Sequence, residues 1–242
     1  MIRFLSFAAM LAVWQGAALV SDPRLLPGPA PVLAAIGEEA RSGALFTNLG
    51  VTLARVAASF ALAMTLGSAL GYLMGRRRLA DKILDPWLVA LLNLPALVVI
   101  VLAYLWAGLT EVAAIGAVAL NKLPGAMVLA REGARAQDPL LDEMAEAFRF
   151  PISTRLRHVV LPQLAPYFAA ATRSGLSLVW KIVLIVELLG RPNGVGFKIY
   201  TAFQLFDVRM LLAYALPFVA LMLCAETFVV QPFERRVARW RP

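Results

Sequence analysis

Six long apolar segments dominate this sequence, and they constrain its fold more than any other feature. Each is about 17 residues or longer, close to the roughly 20 residues that a helix needs to cross a bilayer. The segments are approximately residues 4–20, 51–75, 84–109, 112–130, 159–189 and 210–230. The chain is 61% apolar and 16% charged, whereas a soluble domain is nearer half apolar and a quarter charged. We therefore predict an all-α membrane protein with about six transmembrane helices.

Two of the six segments are atypical. The first follows Arg3 and ends in small residues, which fits either a signal peptide or an uncleaved signal anchor. Because five further spans follow, we prefer the uncleaved anchor. The fifth segment is too long for one upright span, and Pro162 and Pro166 near its start predict a kinked or interfacial entry. Residues 21–50 contain four prolines and predict an external linker followed by a surface helix over about residues 32–42.

Lysine and arginine are distributed unequally between alternate loops, and this asymmetry predicts the orientation of the chain. With the N-terminus inside, fourteen of them fall on the cytoplasmic side and five outside, so the positive-inside rule places both termini in the cytoplasm. The net charge of +8 lies in short blocks between apolar runs, which argues against nucleic-acid binding. The cytoplasmic set is Arg3, Arg76, Arg77, Arg78, Lys82, Arg131, Arg135, Arg149, Arg155, Arg157, Arg235, Arg236, Arg239 and Arg241; the external set is Arg24, Arg41, Arg191, Lys198 and Arg209.

The longest cytoplasmic loop contains a short amphipathic helix. Asp138 followed by Pro139 is a good helix start, and the helix must end near Phe150 because Pro151 follows. Ser153 and Thr154 are suited to cap a second segment. An apolar stripe along the first helix consists of Leu141, Ala145 and Phe148. So short a helix is marginal alone, and its stripe needs a partner, either the chain's own loops or another subunit.

This loop also carries a family resemblance. The stretch from Glu143 through Ala145 to Arg149, with the later Val160-Leu161-Pro162, resembles the "EAA" loop of binding-protein-dependent ABC importer permeases (ABC transmembrane type-1 family). Residues 48–55, 180–190 and 194–196 resemble other parts of the same membrane domain. Residues 234–240 resemble the tail of the nitrate/sulfonate/taurine branch, so the resemblance covers roughly residues 46–241 in order.

The resemblance implies a type I ABC importer permease fold, like that of the methionine importer, in the bacterial inner membrane. It divides the chain into an N-terminal helix and linker (1–45), the membrane domain (46–230) with a coupling loop (138–162), and a basic cytoplasmic tail (231–242). The implied partners are a cytoplasmic ABC ATPase dimer, a second permease copy, most simply in a homodimer, a periplasmic or lipid-anchored solute-binding protein, and membrane lipid. The implied solute is small and anionic, such as a sulfonate, taurine or nitrate.

The chain has no ATP-hydrolysing motif of its own. The phosphate-binding pattern G-x-x-x-x-G-K-[ST] is absent, and no Gly-Lys dipeptide occurs. We therefore expect a transport subunit that is not itself an enzyme and holds no cofactor, with ATP and magnesium bound by the partner subunit. The single Cys224 excludes a metal site built on several thiolates, and the single His158 argues against a catalytic cluster.

The resemblance also implies roles for residues of the loop. Glu143 and Ala145 would sit in the groove of the ATPase, and Leu141 and Phe148 would pack beside them. Arg155 and Arg157 would pair with acidic groups of the ATPase, or are simply positive-inside charges. Arg149 stands where the family has a glycine that permits a tight turn, and Pro151 is expected to supply the break instead. The ATPase-coupling set is Leu141, Glu143, Ala145, Phe148, Arg155, Arg157 and Pro162.

Polar side chains inside the apolar segments are candidates for a translocation path. Ionisable groups within a membrane are costly and often functional, although structural ion pairs and snorkelling explain many of them. Asn93 with Pro95, and Asn121 with Pro124, also predict broken helices of the kind that line cavities. The candidate path residues are Asn93, Asn121, Lys122, Arg173, Lys181 and Glu187, and Arg55 and Glu226 are further intramembrane charges.

Two other function classes remain to be separated from an importer subunit. A self-sufficient secondary transporter or channel predicts internal repeats or acidic proton relays, and neither is evident in the sequence. A membrane-embedded enzyme predicts clustered histidine and aspartate or a nucleophile motif, and no G-x-S-x-G occurs. The importer subunit is therefore the preferred interpretation, and the secondary transporter or channel is the alternative.

Overall fold

The computed structural model describes residues 2–232 and the side chains of residues 5–232. The expected tail motif at residues 234–240 lies outside this part of the chain. The described residues are almost entirely helical and contain no strand. The helices are α1 (Ile2–Val20), α2 (Pro29–Arg41), α3 (Ala44–Arg76), α4 (Arg78–Asn93), α5 (Ala96–Ala107), α6 (Glu111–Arg135), α7 (Pro139–Ala147), α8 (Ile152–Arg155), α9 (Leu161–Gly190), α10 (Val195–Gln204) and α11 (Val208–Ala225), with π-helical turns at Leu156–Val160 and Glu226–Val230.

The helices confirm the all-α membrane class, with a span count close to the predicted six. Within the described residues, four continuous helical stretches are long and apolar enough to cross a membrane: Ala44–Arg76, Glu111–Arg135, Ile152–Gly190 and Val208–Val230. A fifth span is possible if the bent pair α4 and α5 counts as one, and α1 adds a shorter apolar helix over Leu5–Val20. The approximate count of six therefore corresponds to these six segments.

The third predicted segment is broken in the middle, as Asn93 and Pro95 suggested. Helices α4 and α5 meet at an angle of 100°. Leu94 has extended backbone angles (φ −74°, ψ 126°), because the residue before a proline is sterically excluded from the helical region. The second predicted break is wrong, since α6 continues without interruption from Glu111 to Arg135 through Pro124.

The chain divides into two compact units, of which the first comprises residues 1–54 and 183–224. The predicted surface helix is confirmed there as α2, whose Val32 and Ala35 are fully buried. Its Glu39 accepts a hydrogen bond from the buried hydroxyl of Tyr214 in α11. The linker before α2 is held by the indole of Trp14, which donates to the carbonyl of Pro27.

The second unit comprises residues 55–182 and 225–242. In it α3 and α6 pack closely through small residues repeated every fourth position. A methyl group on Gly67, Gly71 or Gly75 of α3 would collide with backbone carbonyls of α6 and with the side chains of Ala126, Ala130 and Ala134, respectively. Such stripes of small residues allow helix backbones to approach each other in membranes. This contact fixes the position of α6, which carries Lys122.

An ion-pair network joins the end of α6 to α4 in the same unit. The Nη1 atom of Arg131 lies 2.5 Å from Asp85 and 3.4 Å from Asp81. The Nη2 atom of Arg135 lies 2.6 Å from the other oxygen of Asp81. The two arginines, assigned from the sequence to a cytoplasmic loop, therefore also hold α4 against α6.

Candidate functional site: the coupling loop and the intramembrane charges

The first half of the loop folds as the sequence predicts. Asp138 caps α7 by accepting a hydrogen bond from the N–H of Leu140, and Pro139 occupies the first turn. The N–H of Asp138 donates to Oε1 of Gln163 at 2.8 Å, which ties the start of α7 to α9. The helix ends at Ala147, within three residues of the predicted stop.

Arg149 itself forms the turn after α7, and the expectation that Pro151 would supply the break is wrong. Arg149 has a φ of 50°, in the left-handed region that glycine normally occupies. Its N–H bonds to the carbonyl of Glu146, and the N–H of Phe150 bonds to the carbonyl of Ala145. These two bonds make a Schellman motif, which satisfies carbonyls at the end of a helix. Arginine thus replaces the expected glycine in the same backbone conformation.

The second half of the loop differs from the expectation in one detail. Ser153 and Thr154 lie inside the short helix α8, which begins after Pro151 without a side-chain cap. The proline restricts its own φ and favours the first turn of a helix, so no hydroxyl cap is needed. A π-helical turn at Leu156–Val160 then leads into α9, where Pro162 is exposed.

The coupling helix α7 leaves most of its predicted contact residues open. Leu141 is 37% exposed and Phe148 73% exposed, and the Glu143 side chain is also exposed. Ala145 is instead buried within the chain. The predicted stripe is therefore divided: its middle packs internally, and its two ends are available to another surface.

Asp142 anchors α7 to two other parts of the unit. Its Oδ2 lies 2.6 Å from Nη2 of Arg76 at the end of α3, and its Oδ1 lies 3.0 Å from Nη2 of Arg155 in α8. Burial acts to raise the pKa of Asp142, but the hydrogen bonds and charges of Arg155 and Arg76 outweigh it, so the pKa lies below the ordinary value of 3.8. Arg155 thus has a partner within the chain, whereas Arg157 is exposed.

Lys122 is the most deeply buried of the candidate path cations. Its side chain is 3% exposed in the middle of α6. Its end lies beside Gly175 of α9, where a methyl group would contact Cε and lie 2.7 Å from Nζ. A methyl group on Gly125 would lie 3.5 Å from the same Nζ atom. The ammonium therefore occupies space that two glycines leave open.

The other charges of the same unit have different surroundings. Arg55 makes a bidentate pair with Glu111, with Nη2 to Oε1 at 2.6 Å and Nε to Oε2 at 2.9 Å. Arg173 is largely exposed and lies 3.9 Å from Glu226. Lys181 is exposed. Arg55 is therefore buried but paired, whereas Arg173 and Lys181 are exposed. Lys122 differs from all three because it is buried against a glycine.

Glu187 belongs to a buried hydrogen-bond cluster in the first unit. Its Oε2 accepts from the hydroxyl of Thr52 at 2.9 Å and from the N–H of Gly196 at 2.8 Å. The hydroxyl of Thr52 accepts from the N–H of Val195, and Asn48 accepts from the N–H of Gly194. A carboxylate and two neutral acceptors thus satisfy the free N–H groups at the start of α10, where negative charge is favoured.

The two candidate asparagines bond within their own helices. The amide of Asn93 donates to the carbonyl of Val89 at 2.7 Å, at the end of α4. The amide of Asn121 donates to the carbonyl of Ala117 at 2.9 Å. Side-chain bonds to the preceding turn are a common way for polar residues to be accommodated in apolar helices.

Sequence reasoning missed several partners of these residues. Asn48 and Thr52 enter the sequence analysis only within the stretch 48–55 that resembles the family, and Asp142 does not enter it. Gly175 carried no signal, because a lone glycine in an apolar helix has many explanations. The Gly67, Gly71 and Gly75 repeat was visible as a four-residue period, and it would have predicted the close packing of α3. No group of three or more histidine, cysteine or acidic residues suited to a metal occurs in the described part of the chain.

Comparisons with known proteins agree with this architecture. The family described as "Binding-protein-dependent transport system inner membrane component" matches residues 44–239. A putative aliphatic sulfonates transport permease protein of Bacillus subtilis (strain 168) is 30% identical over 236 residues, which is 97% of this chain and 85% of that protein. The taurine transport system permease protein of Escherichia coli (strain K12) is 24% identical over 242 residues, covering 97% of this chain and 88% of that protein.

Solved structures show the same fold. A methionine ABC transporter in inward-facing conformations matches with a TM-score of 0.68 at 18% identity, over 82% of this chain and 98% of the matched chain. An amino acid ABC transporter matches with a TM-score of 0.63, also at 18% identity, over 83% of this chain and 97% of the matched chain. The chain belongs to the family of binding-protein-dependent transport system inner membrane components, the permease subunits of ABC importers.

Proposed function

We propose that this chain is the permease of an ATP-driven importer for a small organic or inorganic anion. The observation that carries the proposal is the similarity, over 97% of the chain, to a permease named for aliphatic sulfonates. Permeases named for taurine and for bicarbonate are also among the relatives. Sulfonate, taurine and bicarbonate all carry a small anionic head, so we expect an anion of that kind here, and nitrate fits the same description.

The family implies an ATPase and a solute-binding protein as partners, and we propose how this chain meets them. Two copies of the permease form a homodimer in the inner membrane with both termini in the cytoplasm. Each copy docks one subunit of the ATPase dimer through α7, and a periplasmic or lipid-anchored binding protein delivers the solute from the opposite side. ATP and magnesium are bound by the ATPase, and the permease contributes no catalytic residue.

The exposed ends of the α7 stripe support this docking. Leu141 and Phe148 offer apolar surface, and the carboxylate of Glu143 lies exposed on the same helix. A short helix with an acidic, partly apolar surface fits a groove on a partner. We propose that Arg157 and Pro162 border this surface. Arg155 lies 3.0 Å from Asp142, so we propose that it positions α7 for docking.

A charge reversal with a matched control tests the proposed docking. We expect Glu143→Lys to reduce co-purification of the ATPase subunit and to uncouple ATP hydrolysis from uptake, because it places a cation where the partner receives a carboxylate. Glu38→Lys makes the same change at an exposed glutamate of α2, on the opposite predicted side. It should leave both measurements unchanged.

Uptake measurements also distinguish the importer from the alternative, a self-sufficient secondary transporter or channel. Uptake of ethanesulfonate, taurine, nitrate and bicarbonate is measured in proteoliposomes with and without the ATPase and binding protein. Uptake that depends on ATP and on both partners supports the importer. Equal uptake by the permease alone would show a self-sufficient transporter and overturn the importer. Equal ATPase association and uptake in the Glu143→Lys variant would overturn only the docking through Glu143.

A further inference from the structure

A buried cation in α6 has no anionic partner among the described side chains. Lys122 is 3% exposed, yet no carboxylate lies within ion-pair distance of it among the residues whose side chains the structure describes. By contrast, Arg55 pairs with Glu111, and Arg173 lies near Glu226. A buried charge is strongly disfavoured unless it is paired. The environment of Lys122 thus lacks one negative charge.

The side chain of Lys122 lies directly against Gly175 of α9. Gly175 is itself buried, and a methyl group there would contact Cε and approach Nζ. Any larger residue at position 175 would push the ammonium away from α9. On its own helix, Gly125 likewise leaves ordinary van der Waals space beside Nζ. The cation is therefore buried between α6 and α9 of the second unit, and does not lie on an exposed surface from which a lysine could extend to the membrane boundary.

We propose that Lys122 is the anion-binding group of the translocation path, and that Gly175 positions it. The transported anion supplies the charge that the described side chains around Lys122 lack, so the site selects a small solute with one negative group, such as a sulfonate, carboxylate, nitrate or bicarbonate. A charge-assisted hydrogen bond from the ammonium binds an oxygen of that group. This inference rests on the proposed function, because it assigns a residue to the solute of the importer.

Two variants at Lys122 test the charge. The complete complex of permease, ATPase and solute-binding protein is placed in proteoliposomes, and uptake of radiolabelled ethanesulfonate is measured together with ATP hydrolysis. We expect Lys122→Gln to lower the amount of ethanesulfonate imported per ATP hydrolysed by about 10- to 100-fold. A loss of that size is what removal of one hydrogen bond between charged groups does to affinity. Lys122→Arg keeps the charge and should restore a substantial part of the uptake.

A variant at Gly175 tests the position of the ammonium without removing its charge. Gly175→Ala displaces the end of a flexible side chain and not backbone, so the complex should assemble normally while the uptake ratio falls. Two matched controls accompany it. Gly116→Ala adds a methyl group on α6 where no atom lies within 4 Å, and Lys82→Gln removes an exposed lysine of α4. Both should behave like the wild type.

The possible results separate this inference from the proposed function. If the wild-type complex imports ethanesulfonate and Lys122→Gln imports it equally well, Lys122 is not the anion site, although the importer stands. If Lys122→Gln fails to assemble and Lys122→Arg restores assembly without any selective effect on uptake, Lys122 pairs with an acid of another subunit and the inference is wrong. If the wild type imports none of ethanesulfonate, taurine, nitrate and bicarbonate, the proposed function fails and the inference with it.

Discussion

Replacement of Asp142 by asparagine should loosen the coupling helix without unfolding the permease. Asp142 is the link between α7, the end of α3 and α8, through 2.6 Å and 3.0 Å contacts to Arg76 and Arg155. Asparagine has nearly the same shape but no charge, so both charge-assisted bonds weaken. The membrane helices retain their own packing, and we therefore expect a local change in the stability of α7.

The size of the effect follows from the exposure of the three side chains. A hydrogen bond to a charged group contributes about 1.5–3 kcal/mol when it is well protected. The Asp142 side chain is only 14% exposed, but Arg76 and Arg155 are 37% and 38% exposed, so solvent screens both pairs. We therefore expect a total loss of about 1–2 kcal/mol, which corresponds to roughly a 5- to 30-fold higher population of the open loop.

Hydrogen exchange of the permease in lipid nanodiscs measures this population. The amides of α7 should lose about 5- to 30-fold protection in Asp142→Asn, while those of α3 and α6 stay unchanged. Glu146→Gln is the matched control, since it removes an exposed carboxylate of the same helix. Equal protection in Asp142→Asn and the wild type would refute the assigned anchoring role.

The same link predicts a dependence on pH. The pKa of Asp142 is depressed below 3.8 in the folded loop by the two arginines. As the pH falls, Asp142 is therefore protonated first in the unfolded loop. The stabilisation by Asp142 is fully present above its ordinary pKa and is lost as the pH falls through its depressed pKa in the folded loop. Protection of α7 should be constant at neutral pH and should decrease below about pH 4, and in Asp142→Asn this decrease should be absent.

Three further substitutions test the structure elsewhere. Arg149→Gly should stabilise α7 by about 0.5–1 kcal/mol, because a left-handed φ costs an arginine more than a glycine; slower hydrogen exchange of α7 would show it, and faster exchange would contradict it. Glu187→Gln should lower the free energy of unfolding by about 1–3 kcal/mol, because it places an amide donor among N–H and O–H donors. The thermal midpoint in detergent should fall, and an unchanged midpoint would contradict the role of the Glu187 cluster. Gly71→Ala should disrupt the packing of α3 against the Met127 carbonyl of α6, and should lower expression and the thermal midpoint. Gly116→Ala, with open space around it, should change neither. Equal behaviour of the two variants would contradict the close packing of α3 against α6.

Local chemistry explains which parts of the coupling loop were predictable. The start of α7 follows from Asp138 and Pro139 alone, because capping depends on residues next to each other in sequence. The break at Pro95 follows from the same kind of local steric rule. The turn at Arg149 was assigned to the wrong residue, because a left-handed arginine is disfavoured locally and is held by the two capping bonds around it.

Hydrophobic length and short motifs are properties of neighbouring residues, so they were enough to predict the membrane class, the approximate number of spans and the family. Only the tertiary structure distinguished the intramembrane charges from each other. Arg55 and Lys122 look alike as cations in apolar segments, yet Arg55 pairs with Glu111 and Lys122 is buried against Gly175. Such partners are far apart in the chain and come together only when the helices pack. The sequence could therefore identify these residues as intramembrane charges but could not predict their partners.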